Sequence, residues 1–143
     1  MASISARILG KPLFSTQIAR CRQPCVRSVA THATQHTLNI GAKIPALGFG
    51  IFQDSESQSD TVCQALQKGM HVIDTAQVYN VEEQVGKGIK KSGIPHEAIF
   101  TSTKLWCNDY HPENIECALD NFLKDLDTPY VDLVLMHYSC IFA

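Results

Sequence analysis

The spacing of apolar residues changes period several times along the chain. Four short runs, 47–52, 71–73, 99–105 and 130–136, are apolar enough to read as strands. Between them apolar residues recur at helical spacing. Val62, Ala65 and Leu66 mark a first helix from 57 or 59 to 68, and Val85 and Ile89 a second from about 81 to near 93. Ile115, Ala118, Leu119, Phe122, Leu123 and Leu126 mark a third. Gly69 suits the position just past a helix C-cap, and Pro112 suits a first helical turn. Asn80 and Glu83, three apart, predict a capping box at the start of the second helix. Residues 36–46 predict a small hairpin, with Leu38 and Ile40 before Gly41, Ile44 after it, and Pro45 ending the pairing. The last apolar run, 130–136, is nearly continuous and predicts a parallel strand covered on both faces. The order is a hairpin followed by β-α-β-α-β-α-β, which specifies an α/β fold with a parallel sheet, open or closed.

Three of the predicted strands end on an ionisable side chain: Asp74, Lys104 and His137. One strand-helix unit separates each from the next. The carboxyl ends of such strands are where barrels of alternating strands and helices place their chemistry. Tyr79 follows Asp74 in the same loop. A phenol is a weak acid, and an ammonium beside it favours the phenolate. A carboxylate holds that lysine charged and in place, and a neutral histidine can donate to a carbonyl oxygen. The set would protonate an oxygen as negative charge develops there, as carbonyl reduction requires. The hydride would come from a nicotinamide cofactor. Gly48-Phe49-Gly50 is not a dinucleotide fingerprint, because Gln53 occupies the third glycine position and no helix opens there.

Charge is unevenly spread. Residues 1–35 hold Arg7, Lys11, Arg20, Arg22 and Arg27 and no acid. This Ser/Thr/Ala/Arg-rich segment reads as an organellar transit peptide, mitochondrial in type; the alternative is an unprocessed extension on a cytoplasmic protein. Residues 36–143 carry seven basic and fourteen acidic side chains, net −7, which argues against a nucleic-acid or anionic-membrane surface. No apolar run has the length of a membrane span. Six cysteines, Cys21, Cys25, Cys63, Cys107, Cys117 and Cys140, include no C-x-x-C pair. They read as reduced thiols, with no metal site and no disulfide framework.

Several separated motifs, in order over residues 38–137, resemble the aldo-keto reductase family. They are Ile44-Pro45-Ala46-Leu47-Gly48-Phe49-Gly50, Ile73-Asp74-Thr75-Ala76, Glu82-Glu83-Gln84-Val85-Gly86, Thr103-Lys104-Leu105-Trp106, and Tyr130-Val131-Asp132-Leu133 through His137. The resemblance implies a parallel (β/α)8 TIM barrel with a hairpin at its base, of which this chain holds the hairpin and about the first four strands. It implies reduction of aldehydes and ketones with NADPH, in some members NADH. Tyr79 would be the general acid, Lys104 the cation that makes the phenol a better acid, and Asp74 the partner of Lys104. His137 would orient the carbonyl, and Trp106 would line the substrate pocket with it. Gly50, Ile51 and Asp74 would lie along the cofactor. Ile51 stands where the family usually has Thr or Ser, Val81 where it usually has Asn, and no proline follows His137. Residues 36–143 are then expected to be a partial reductase domain, truncated and inactive alone, with outer strands open to a half-barrel dimer or to aggregation. The alternatives are a non-catalytic binding subunit on the same scaffold and a Schiff-base aldolase using Lys104.

Overall fold

The computed structural model describes residues 34–53 and 57–140. The proposed leader lies outside the described residues except at its end. Strand β1 (Gln35–Thr37) pairs antiparallel with β2 (Lys43–Pro45), and Ala46 N–H donates to Thr34 O across 2.8 Å. The fold therefore takes in Thr34 and Gln35, and the pairing runs one bond past Pro45. The tip turns at Gly41, whose φ of 85° suits glycine.

Four parallel strands follow in chain order: β3 (Phe49–Gly50), β4 (Val72–Asp74), β5 (Phe100–Leu105) and β6 (Leu133–Met136). The connecting helices are α1 (Gln58–Gln67), α2 (Glu82–Ser92) and α3 (Pro112–Leu126), with α1 packed on α2 and α2 on α3. The hairpin lies at the sheet's amino-terminal end, where Gln35, Lys43 and Pro45 face His71, Phe100 and Asp132 across a cleft.

Helix α1 ends as its sequence predicts. Gly69 N–H donates to Leu66 O and Met70 N–H to Ala65 O, a Schellman closure with Gly69 at φ 89°. Its stripe of Val62, Ala65 and Leu66 is buried. Helix α2 departs from prediction at its start. Its N-cap is Val81, with no side-chain cap, and Asn80 stands outside in the left-handed region at φ 54°. The Asn80 side chain donates to Val78 O, and Glu83 reaches Lys87 one turn on. Asn80 serves instead as the C-cap of the preceding 3-10 turn, Gln77–Tyr79, and so is not free to cap α2.

The core lies between sheet and helices: Ile51, Ile73 and Ile99 meet Val62, Leu66, Val85, Ile89 and Leu126. A second group joins Leu105 to Ala118 and Phe122. Ile115 and Leu119 of α3 remain exposed. The two outer strands are less covered than their composition predicts. Only Phe49 and Gly50 of the 47–52 run pair, and Phe52 is 62% exposed. Among the described residues, strand β3 has a neighbour on one side only. On β6, Val134 and Leu135 are exposed and Met136 is 65% exposed. The expectation of two covered faces fails there, because no helix follows β6 among the described residues.

Two glycines in α2 set how closely the helices approach. A Cβ on Gly86 would stand 2.3 Å from the Leu126 carbonyl oxygen, and one on Gly88 would stand 2.7 Å from Ser59 O and from Val62 Cβ. Glycine costs about 1 kcal/mol of helix propensity at each position. Gly86→Ala should still lower stability, by about 1–3 kcal/mol of overpacking. Lys87→Ala, on the exposed face between them, should stay within about 0.5 kcal/mol. Urea melts of the two variants check this, and an unchanged or raised midpoint for Gly86→Ala would refute the packing argument.

Glu82, the first residue of α2, is 5% exposed, and its Oε1 accepts from Thr103 Oγ1 at 2.6 Å. Burial pushes its pKa up to about 7 from 4.5; the Thr103 bond pulls it down and the Asp125 charge pushes it further up. From pH 4.5 to about 7 the folded state thus binds more protons here than the unfolded chain. Stability contributed by the neutral acid is full below pH 4.5 and is lost as pH rises through 7, at a cost reaching about 3 kcal/mol. Glu82→Gln keeps an acceptor for Thr103 and should remove that slope. Denaturant melts at pH 4, 6 and 8 should show the variant gaining on the wild type as pH rises; parallel curves would rule this out.

Candidate active site

The carboxyl ends of the four strands gather the ionisable residues. On β5 alternate side chains take opposite faces. Thr103 and Leu105 turn toward the helices, the one to Glu82 and the other to Ala118 and Phe122. Ser102 and Lys104 turn to the other face and meet Asp74 of β4. Lys104 Nζ donates to Asp74 Oδ2 at 2.6 Å and to Thr75 O at 2.8 Å, while Ser102 Oγ donates to Asp74 Oδ1 at 2.6 Å. Both carboxylate oxygens are thereby engaged. The pair is sheltered, with the lysine side chain 17% and the aspartate 37% exposed, so its attraction is screened less than at the surface.

Tyr79 ends the 3-10 turn after β4, and its N–H donates to Ala76 O. The turn brings its ring to Lys104, with Nζ 5.5 Å from the ring centroid. Phe52 meets the ring edge-on at 4.9 Å and His137 at 5.5 Å. His137 follows β6, and its N–H donates to Leu105 O at 3.1 Å, continuing the β5–β6 ladder. Its ring lies edge-on to Trp106 at 5.2 Å as well as to Tyr79. Its Nδ1 is buried and bonded to no described residue. Trp106 N–H donates to Gln77 Oε1, fixing the end of β5 to the Tyr79 turn. Asp74, Tyr79, Lys104, Trp106 and His137 thus converge from the carboxyl ends of three strands and the segments that follow them.

The candidate cofactor residues divide. Gly50 pairs with Asp74, and no atom lies within 4 Å of where its Cβ would stand. Ile51 is placed differently. Its side chain is buried in the core and its N–H donates to Asp74 O, so neither is left for a cofactor.

Sequence reasoning passed over three contributors. Ser102, two residues before Lys104 on the same strand face, carried a usable signal in the two-residue period. Gln77 and Tyr138 carried none, since a turn and a strand exit bring them in; Tyr138 packs on Trp106 and His137. No group of three or more His, Cys, Asp or Glu among the described residues could hold a metal ion.

Comparison with known proteins places this arrangement. A glycerol 2-dehydrogenase (NADP(+)) of Saccharomyces cerevisiae is 50% identical over 103 residues, 71% of this chain and 32% of that protein. A D/L-glyceraldehyde reductase of Hypocrea jecorina is 42% identical over 113 residues, 75% of this chain and 34% of that one. The crystal structure of an aldo/keto reductase from Brucella melitensis superposes with a TM-score of 0.72 at 43% identity, covering 77% of this chain and 42% of that chain. The chain spans about a third of the length of these sequence relatives. Its hairpin and four parallel strands correspond to part of a (β/α)8 barrel. The Aldo/keto reductase family's sequence model matches residues 46–139, and the chain belongs to that family.

Proposed function

We propose that the gathered residues are the acid–base half of a site that reduces aldehydes or ketones with NADPH. The observation that carries this reading is the meeting of Tyr79, His137 and the Lys104–Asp74 pair at one end of the sheet. Tyr79 Oη gives its proton to the carbonyl oxygen. Lys104, held by Asp74 and the Thr75 carbonyl, offsets the negative charge left on the phenol oxygen. His137, bracketed by Tyr79 and Trp106, has a ring confined enough to orient the carbonyl through a ring N–H.

A nicotinamide cofactor, when bound, supplies the hydride. The residues fit one: Gly50 leaves the backbone beside Asp74 open to a flat ligand, and His137 Nδ1 has a hydrogen bond still to make. Gly50 and Asp74 would lie along it. The NADP(+) in the name of the yeast relative favours the phosphorylated form, and the relatives' names favour a small polar carbonyl substrate. The aldolase reading is disfavoured because the Asp74 carboxylate 2.6 Å from Lys104 Nζ stabilises the ammonium, which has no lone pair with which to attack a carbonyl. Four strands leave the barrel open, and phosphate sites in barrels commonly follow strands seven and eight. The chain by itself is therefore expected to turn over no aldehyde.

The test grafts residues 46–139 in place of the matching segment of the yeast glycerol 2-dehydrogenase. The chimera should oxidise NADPH in the presence of glyceraldehyde. Tyr79→Phe in that chimera should cost about 10²–10⁴-fold in rate while NADPH binding, followed by cofactor fluorescence, persists. Lys104→Met should be similarly severe and should also move the pH profile. A chimera that binds NADPH but reduces nothing favours a binding subunit, and near-normal rates in Tyr79→Phe would remove it as the acid.

A further inference from the structure

The step that brings Lys104 and His137 together also brings a second pair together. Lys104 and His137 are 33 residues apart, and Cys107 and Cys140 are separated by the same 33. Their Sγ atoms lie 3.8 Å apart, both as free thiols. Two further constraints hold the two segments together. Leu105 pairs with Met136, and Tyr110 Oη both accepts the Tyr138 N–H at 3.0 Å and donates to Tyr138 O at 2.8 Å. The two cysteines differ in access: Cys107 is fully buried and Cys140 is exposed. The remaining described cysteines, Cys63 and Cys117, sit on α1 and α3.

We propose that Cys107 and Cys140 are a modification site, oxidised by hydrogen peroxide to a disulfide that staples the loop after β5 to the segment after β6. The inference goes beyond the carbonyl-reducing reading and does not require it. The exposed Cys140 sulfur, as thiolate, attacks one peroxide oxygen. The O–O bond breaks, hydroxide leaves and takes up a proton as water, and Cys140 becomes the sulfenic acid. The Cys107 sulfur then attacks the Cys140 sulfur; the S–O bond breaks, the S–S bond forms, and a second water leaves with the Cys107 proton. Peroxide gains two electrons and the two thiols lose them. The sulfurs must close to about 2.05 Å, a movement an exposed side chain can supply. Contact with Cys107, then burial, pushes the Cys140 thiol above its ordinary value, which lowers its thiolate fraction and slows the first step. The staple would join Trp106 and Cys107 to the His137–Cys140 segment, fixing one rim of the site.

The full 143-residue chain, reduced and then treated with one equivalent of hydrogen peroxide, tests this by alkylation under denaturing conditions and peptide mapping. The expected product is a linked pair of peptides carrying Cys107 and Cys140, lighter by two hydrogens than the two thiol peptides and separated by dithiothreitol. Emission from Trp106, the one tryptophan in the chain, should fall as the neighbouring disulfide forms and recover on reduction. Cys140→Ser removes no buried group and should fold; it should abolish both the linked peptide and the fluorescence change, whereas Cys63→Ser and Cys117→Ser should leave both. Cys140 recovered unmodified, as an unlinked sulfinic or sulfonic acid, or bonded to another cysteine or another copy of the chain would overturn the assignment.

Discussion

The ion pair between Lys104 and Asp74 is the contact on which the rest of the site is built. It joins two neighbouring strands at their carboxyl ends and lies within the sheltered face of the sheet. A charge there is costly unless it is paired and its remaining donors and acceptors are used. Thr75 O and Ser102 Oγ take up part of that demand, one on each partner. The pair therefore fixes the lysine's position as well as its charge. The Tyr79 ring, 5.5 Å from the ammonium, thus has its cation fixed in place by the fold itself. Preorganisation of this kind is what makes fixed charges effective in catalysis.

Strand β5 pays for this arrangement through its other face. A strand with Thr, Ser, Thr and Lys in succession is an unusual choice for the middle of a buried sheet. Thr103 is satisfied by Glu82, and Glu82 is carried in by α2. Gly86 and Gly88 let α2 lie against α1 and α3 closely enough to bury that carboxyl group. The acid is tolerated because it can hold its proton near neutral pH. A polar strand on the Asp74–Lys104 side and a glycine-bearing helix on the opposite side are thus two parts of one packing solution.

The legible parts of this molecule are those governed by periodicity. The helices appear where the 3.6-residue spacing puts them, and Gly69 and Gly93 end them in the left-handed conformation that glycine permits. Parallel order and the meeting of Asp74, Lys104 and His137 follow from one strand-helix step repeated. What the sequence hid were choices made by tertiary contacts. Asn80 has the identity of an N-cap, yet the turn that presents Tyr79 places it in the left-handed region instead. Ile51 reads as the residue beside a cofactor because of its neighbours in the motif, while its own side chain joins the core. The burial of 130–136 could not be judged from its apolar content, because burial depends on what lies beside a strand.

The open strands also bear on the site. Asp74 and Lys104 lie on the two inner strands, each with a hydrogen-bonded neighbour on both sides. Gly50 and His137 lie at the ends of the two outer strands, which have one neighbour each among the described residues. Backbone order in a parallel sheet comes largely from those ladders, so local opening is easier at the outer strands. The ion pair therefore rests on the firmest part of the described fold, and Gly50 and His137 rest on its margins. On the β6 side, Tyr110 and the contact between Cys107 and Cys140 tie the segment after β6 to the loop after β5. The position of His137 is consequently set by the loop after β5 as much as by its own strand.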